Sequence, residues 1–318
     1  MSIPSARFDA PHSEAVLPRL ASYFAIYVIW GTTYFFIKEA VGGVTPLSVV
    51  ALRFLAGGLL LLAIARVKGE RFGSPREMAG PAVSGLFLLL GANGLVTWAE
   101  KYVDSYYAAL MISVSPILLI LVDRLVVKKP VPRGALIGIP FGILGVLLLV
   151  LPGRSVGGAL PWQIGLLFLA MLSWAIGSAL GKVLPRPEGD VMPSAIQLTV
   201  TGLVASLFFL ARDGSYTPVH EFIAAPLRAQ FAIVYLAVLG SLALVAYNYL
   251  LHREPMGKIA SYTLVNPVIA VLVGMWVGHE RATPLLLPAM AGILAGVGMV
   301  FYGESLGRWA RARWKGVK

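Results

Sequence analysis

The stretch Tyr107-Ala108-Ala109-Leu110-Met111-Ile112-Ser113-Val114-Ser115-Pro116-Ile117-Leu118 is echoed 151 residues later by Lys258-Ile259-Ala260-Ser261-Tyr262-Thr263-Leu264-Val265-Asn266-Pro267-Val268-Ile269. Each copy places Ala, then a polar residue, then Pro inside a long apolar run. Working outward from this pair, ten stretches of about 18 to 23 mostly apolar residues fill the chain, each near the length a helix needs to cross a bilayer. The last five echo the first five. Five is odd, so the second set enters the membrane from the opposite side. That is the inverted-repeat plan of secondary transporters, with a substrate path where the halves meet. The predicted fold is therefore an all-α integral membrane protein, its ten transmembrane helices forming two inverted five-helix repeats around a central cavity.

Composition supports a membrane location. The 318 residues are 58% hydrophobic and 13% charged, with a mean hydropathy of +0.81, which leaves too little polar surface to cover a soluble globule. The spans fall at about 20–38, 46–66, 79–99, 105–124, 133–152, 161–181, 192–211, 229–251, 258–278 and 284–304. The chain thus divides into a cytoplasmic N-terminal segment (1–19), a first five-helix repeat (20–152), a linker with Gly153, Gly157 and Gly158 (153–160), a second repeat (161–304) and a basic cytoplasmic tail (305–318). Trp30 and Lys38 in span 1 are eight apart, as are Trp174 and Lys182 in span 6. Gly138-x-x-x-Gly142 in span 5 has its counterpart in Gly292-x-x-x-Gly296 of span 10, a pattern of close helix packing.

The net charge of +11 would suggest nucleic acid in a soluble chain, but its distribution points elsewhere. Assigned alternately to the two faces, the Lys and Arg residues outside the spans number 19 on the face bearing both termini and 6 on the other, with Arg53 left inside a span. By the positive-inside bias both termini are cytoplasmic. The first 19 residues, with Pro4, Pro11 and Pro18, lack the short apolar core and cleavage site of a secretory signal, so the first span is expected to be retained. With no cysteine, disulfides and thiolate chemistry are excluded, and the redox compartment stays open.

Polar groups deep in hydrocarbon are costly and tend to face the bundle interior or a wet cavity. Arg53 lies roughly 10 Å into span 2 at the rise of an α-helix; it suits a substrate carboxylate or a staple to backbone carbonyls. Trp30 and Trp174 sit mid-span, away from the interfaces where membrane tryptophans collect, and suit either stacking on a cargo or bundle packing. The candidate substrate-binding set is Trp30, Tyr34, Arg53, Asn93, Trp98, Trp174, Ser178, Gln197, Asn248, Tyr262 and Asn266. Trp98, near a span end, equally suits the interfacial aromatic belt. Hinge or gating candidates are Ser115, Pro116 and Pro267, where a missing backbone donor loosens a helix, with Lys38 and Lys182 at opposite span ends.

Absences narrow the reading. No Asp or Glu occupies the middle of a span, and there is no Asp-rich motif pair, His-Glu-x-x-His or phosphate loop, so neither an enzyme nor a metal or cofactor site is expected. The same absence points to facilitated transport without proton coupling, with Glu100 and Glu280, at the outer ends of spans 3 and 9, as the acids an outer cavity would reach.

The ten spans, Trp30-Gly31 followed by Lys38, the Pro46-to-Arg53 stretch, the prolines of spans 4 and 9, and Val277-Gly278-His279-Glu280-Arg281 followed by Gly292-Ile293-Leu294 resemble the drug/metabolite transporter superfamily and its EamA branch. Within that branch the chain is most similar to YddG-type exporters of aromatic amino acids. Lys128-Lys129 of the first half departs from the Glu280 pattern of the second. The resemblance implies two five-helix bundles enclosing a cavity and alternating-access export of amino acids across a bacterial inner membrane. The expected partners are a small-molecule cargo, an amino acid, and the lipid bilayer, with no nucleic acid and one copy sufficient. A purine, nucleotide-sugar or drug carrier of the same fold, or a channel or lipid-acting membrane protein, is the alternative.

Overall fold

The computed structural model describes residues 16–126, 133–150, 161–213, 217–254, 259–281 and 284–315. The N-terminal residues 1–15, Lys128-Lys129, the 153–160 linker and the last three residues of the basic tail lie outside the described residues. Among those described every regular element is a helix. That follows from the composition, because in lipid a helix satisfies its own backbone polar groups.

In chain order the elements are α1 (Val16–Val41), α2 (Pro46–Val67), α3 (Pro75–Glu100), α4 (Ser105–Ile112), α5 (Ser115–Val126), α6 (Arg133–Val150), α7 (Pro161–Val183), α8 (Met192–Asp213), α9 (Thr217–Ala224), α10 (Leu227–Arg253), α11 (Tyr262–Trp276) and α12 (Leu286–Lys315). Six helices, α1, α2, α3, α7, α8 and α10, are long and apolar enough to cross a membrane among the described residues. Of the other predicted spans, 4, 5 and 9 correspond to shorter or interrupted helices, and span 10 to the apolar first part of the long α12. Predicted span 4 is broken at Ser113–Val114 into α4 and α5, so Pro116 stands second in a new helix and not within a continuous one. Pro267 does lie inside α11. At the chain end, α12 runs on to Lys315, so most of the predicted tail is helical continuation. The short α9 has no counterpart in the sequence reading.

Pro46, Pro75 and Pro161 open their helices, where a missing N–H costs nothing. Ser74 and Glu77 form a capping box at the start of α3. Three helices contain a stretch of π-helix: Ala25–Ile29 in α1, Leu86–Asn93 in α3 and Leu236–Gly240 in α10. Each such stretch leaves carbonyls short of their usual i+4 donors, and such turns recur at functional sites.

Two helix pairs form the spine. In α2 and α8, a Cβ on Gly58 would lie 2.6 Å from the Thr199 nitrogen, and one on Gly202 would collide with the Leu55 backbone, so glycine is required at both crossings. The pair is tied reciprocally at its ends. Glu70, just after α2, accepts hydrogen bonds from the Val191 and Met192 N–H groups at the start of α8 (3.1 and 2.7 Å). Glu221, in α9 just after α8, accepts from the Thr45 N–H and hydroxyl at the start of α2 (2.7 and 3.1 Å). A carboxylate at a helix N-terminus satisfies orphan donors and meets the favourable end of the helix dipole. The second pair is α6 and α12, where Gly145 meets Ile293 and Gly296 meets the backbone of Gly138 and Gly142. Outward faces carry Leu203, Leu207 and Phe208 of α8 and Phe168 and Leu169 of α7, all exposed, as expected of surfaces that meet lipid.

Candidate cavity and its gates

A cavity of about 850 Å³, part of it open to its surroundings, lies between α1, α2, α3, α7, α8, α10, α11 and the α4–α5 break. Trp30, Tyr34, Arg53, Asn93, Ser115, Trp174, Tyr262 and Asn266, all chosen from the sequence, line it. Around them is an apolar wall that includes Phe54, Leu89, Val96, Met171, Leu236 and Leu244. Arg53 is the one charged side chain among the described lining residues.

Arg53 is 4% exposed. Its Nη2 donates to Asn93 Oδ1 at 2.9 Å, its Nε is buried without a partner, and its guanidinium carbon sits 4.3 Å from the Phe54 ring centroid. Asn93 is itself fixed: its Nδ2 donates to the carbonyl of Leu88, five residues earlier, at 3.0 Å. The π-helix of α3 thus supplies the acceptor that orients Asn93, and Asn93 orients Arg53. Asn266 plays a related part. With its amide nitrogen turned toward the carbonyls, it donates to Ile26 and Tyr27 in the π-helix of α1 (3.1 and 2.9 Å) and to Tyr262 (3.2 Å). Ser115, at the α4–α5 break, presents a buried hydroxyl with no partner.

Toward one end the cavity is floored by aromatic rings. Trp30 meets Trp174, Tyr247 and Tyr262 at centroid distances of 5.5, 5.1 and 5.4 Å, mostly edge-on or tilted. Beneath them Tyr27 and Ser261 pair at 2.7 Å, and Ser178 and Tyr247 at 2.9 Å. Further toward that end, which carries Glu70, Asn248 donates to Ser194 and Gln197, and Gln197 donates to Ser84. Asp190 pairs with Arg253 at 2.8 Å, and Glu254 with Arg19 at 3.6 Å.

The opposite end carries Lys38. Its Nζ donates to the Glu100 and Val103 carbonyls at 2.9 and 2.7 Å, tying α1 to the turn between α3 and α4. The Glu280 carboxylate, beyond α11, accepts from the Ser105 N–H at 2.9 Å and caps α4. Thr32 and Tyr235 pair at 2.6 Å, and Phe36 stacks on Tyr235 at 3.8 Å. Burial, reinforced by the Glu280 charge and opposed by Lys38, pushes the Asp104 carboxyl above its ordinary range.

Several sequence candidates lie elsewhere. Trp98 is 50% exposed and does not line the cavity: its position on α3 turns the ring outward, where an interfacial tryptophan belongs. Ser178, Gln197 and Asn248 are buried and spent on one another's neighbours, so they satisfy polar atoms between helices and do not face the cavity. Lys182 is half-buried in the last turn of α7, at the Glu70 end. Pro116 and Pro267 adjoin the lining residues Ser115 and Asn266 without lining the cavity themselves. Sequence reasoning missed Thr33, whose hydroxyl donates to the Trp30 carbonyl, and apolar lining residues such as Ile37 and Phe54, which nothing distinguishes within a uniformly apolar span. It also missed the three π-helices.

The EamA-like transporter family matches the chain twice, at residues 20–151 and 161–302. The chain belongs to that family. It is 34% identical over 293 residues to the uncharacterized inner membrane transporter YedA of Escherichia coli K12, covering 92% of this chain and 93% of the relative. It is 26% identical over 276 residues to the uncharacterized transporter YvbV of Bacillus subtilis, covering 85% and 86%. A solved crystal structure superposes with a TM-score of 0.64 at 19% identity over 89% of this chain and 98% of its own, a likeness of fold alone. The protein is a multi-pass membrane transporter, as the family and these relatives are described.

Proposed function

We propose that the protein exports amino acids, aromatic and other large apolar ones included, by alternating access between two inverted five-helix repeats. The observation that carries this reading is the two-ended cavity. One cation, Arg53, held by Asn93, faces an apolar wall and an aromatic floor of Trp30, Trp174 and Tyr262. A carboxylate pairs with the guanidinium and an aromatic side chain stacks on the floor. A cargo with several phosphates would need several cations, and Arg53 stands alone among the described lining residues.

The inverted-repeat plan is supported by the two family matches, by the reciprocal caps of Glu70 and Glu221, and by π-helices in α3 and α10, which are repeat mates. In this reading the Lys38 end faces outward and the Glu70 end faces the cytoplasm, as the excess of basic residues requires. The protein then resides in a bacterial inner membrane with both termini inside. Each end is closed by its own small set of contacts, and cargo binding shifts the balance between them.

The test is uptake by purified protein in liposomes, comparing labelled phenylalanine, adenine and a nucleotide sugar. Saturable phenylalanine uptake that glycine inhibits poorly is expected. Transport of the nucleotide sugar or adenine with none of phenylalanine would replace this reading with another carrier of the same fold.

A further inference from the structure

Glu100 is the last residue of α3 and is 0% exposed, and neither of its carboxyl oxygens has a hydrogen-bond partner. The nearest cation does not serve it: the Lys38 ammonium is held by the backbone carbonyls of Glu100 and Val103. The charged and titratable groups whose fields reach Glu100 are Lys38 and Tyr34 from α1, Arg53 from α2, and Glu280 beyond α11, with Asp104 four residues on in the same turn. Arg53 is engaged with Asn93, and Glu280 with the start of α4. A bare carboxylate in this position would be buried without donors beside a second carboxylate, an unfavourable arrangement that is relieved by taking up a proton.

We propose that Glu100 is a proton-binding site of the transporter, loaded while the Lys38 end is closed and emptied when that end opens. On opening, Lys38 leaves the two carbonyls and water reaches the carboxyl. The O–H bond then breaks, and the proton passes to water on that side while the electron pair stays on the carboxylate. Closing reverses each step. Because opening releases a proton, raising the pH favours the open form and lowering it favours the closed one. The proton thereby becomes a second ligand, seated one helix turn beyond the lining residue Val96 and within the field of Arg53, which the proposed function assigns to the cargo carboxylate. This departs from the facilitated transport expected from sequence, which rested on the absence of an acid at mid-span and left Glu100 as one that an outer cavity would reach.

The chain has no cysteine, so a single reporter can be placed at Ile37, which is 2% exposed and lines the cavity one residue before Lys38. Full-length Ile37→Cys protein in nanodiscs is labelled with a water-soluble maleimide from about pH 5 to about pH 9, without cargo, and compared with the same protein carrying Glu100→Gln. Dividing the two rates removes the thiol's own titration, which is common to both. The ratio is expected to rise about tenfold per pH unit across the titration of Glu100 and then level off, as one linked proton requires. A constant ratio over the whole range overturns the proposal. If Glu100→Gln fails to fold, Glu100→Asp serves: a displaced midpoint supports the site, and an unchanged one overturns it. Since no amino acid is present, a pH response in a protein that fails to carry phenylalanine would sink the cargo assignment alone.

Discussion

Replacing Arg53 with Gln separates a cargo-binding cation from a structural staple. The guanidinium makes one charged hydrogen bond to Asn93, at 2.9 Å, and no carboxylate lies within ion-pair distance among the described residues. A hydrogen bond to a charged group contributes about 1.5–3 kcal/mol. Against this, the folded protein holds a cation with a buried, unpartnered Nε, and the desolvation relieved by its removal is of similar size. The two nearly cancel, and Gln retains an amide that reaches toward Asn93. The expected change in stability is therefore within about 1 kcal/mol, or a few degrees in melting temperature. A cargo carboxylate that loses its only cation loses about 3 kcal/mol or more, a factor above 100 in affinity. Scintillation-proximity binding of labelled phenylalanine, with thermal denaturation followed in parallel, reads both quantities. A variant that melts far lower yet binds with unchanged affinity would refute the reasoning and make Arg53 a staple.

Trp30→Ala and Trp174→Ala should each weaken uptake of phenylalanine about fivefold relative to alanine, since one lost aromatic contact contributes on the order of 1 kcal/mol; equal loss for both cargoes would assign the rings to packing. Gly202→Val should destabilise the fold by more than about 3 kcal/mol, because the new side chain drives α8 off the Leu55 backbone of α2; a melting temperature near the parent's would show that the crossing is loose. A cysteine at Arg71 should be labelled only from the cytoplasmic side, and labelling from outside intact cells would invert the topology.

What was legible in the sequence was what hydrocarbon penalises. Arg53, Trp30, Trp174, Asn93 and Asn266 stood out because their residue types are costly or unusual at mid-span, and all five line the cavity. The same rule also selected Gln197 and Asn248, which satisfy each other between helices. Depth along a helix says that a polar group needs a partner, but not whether that partner is protein or cargo. The π-helices were illegible because no local residue pattern announces them: the carbonyls of Ile26 and Tyr27 are met by Asn266 from a distant helix, and that of Leu88 by Asn93 five residues on. Glu100 was read as an acid at the outer end of a span, within reach of an outer cavity; its complete burial comes from tertiary packing, which position along a span does not report. Likewise, the caps of Glu70 and Glu221 join residues more than a hundred positions apart, with no local pattern to announce them.

Counterflow tests the central claim of a single cavity alternately open to each side. Liposomes holding the purified protein are loaded with unlabelled phenylalanine and diluted into a trace of labelled phenylalanine, with no pH gradient or membrane potential. A carrier exchanges one for the other, so the account predicts a transient accumulation of label inside above its outside concentration, followed by decay. It also predicts that Arg53→Gln abolishes the overshoot at the same trace concentration. Label that enters only to equality, at a rate proportional to its concentration and indifferent to the internal load, would identify a pore and contradict the account.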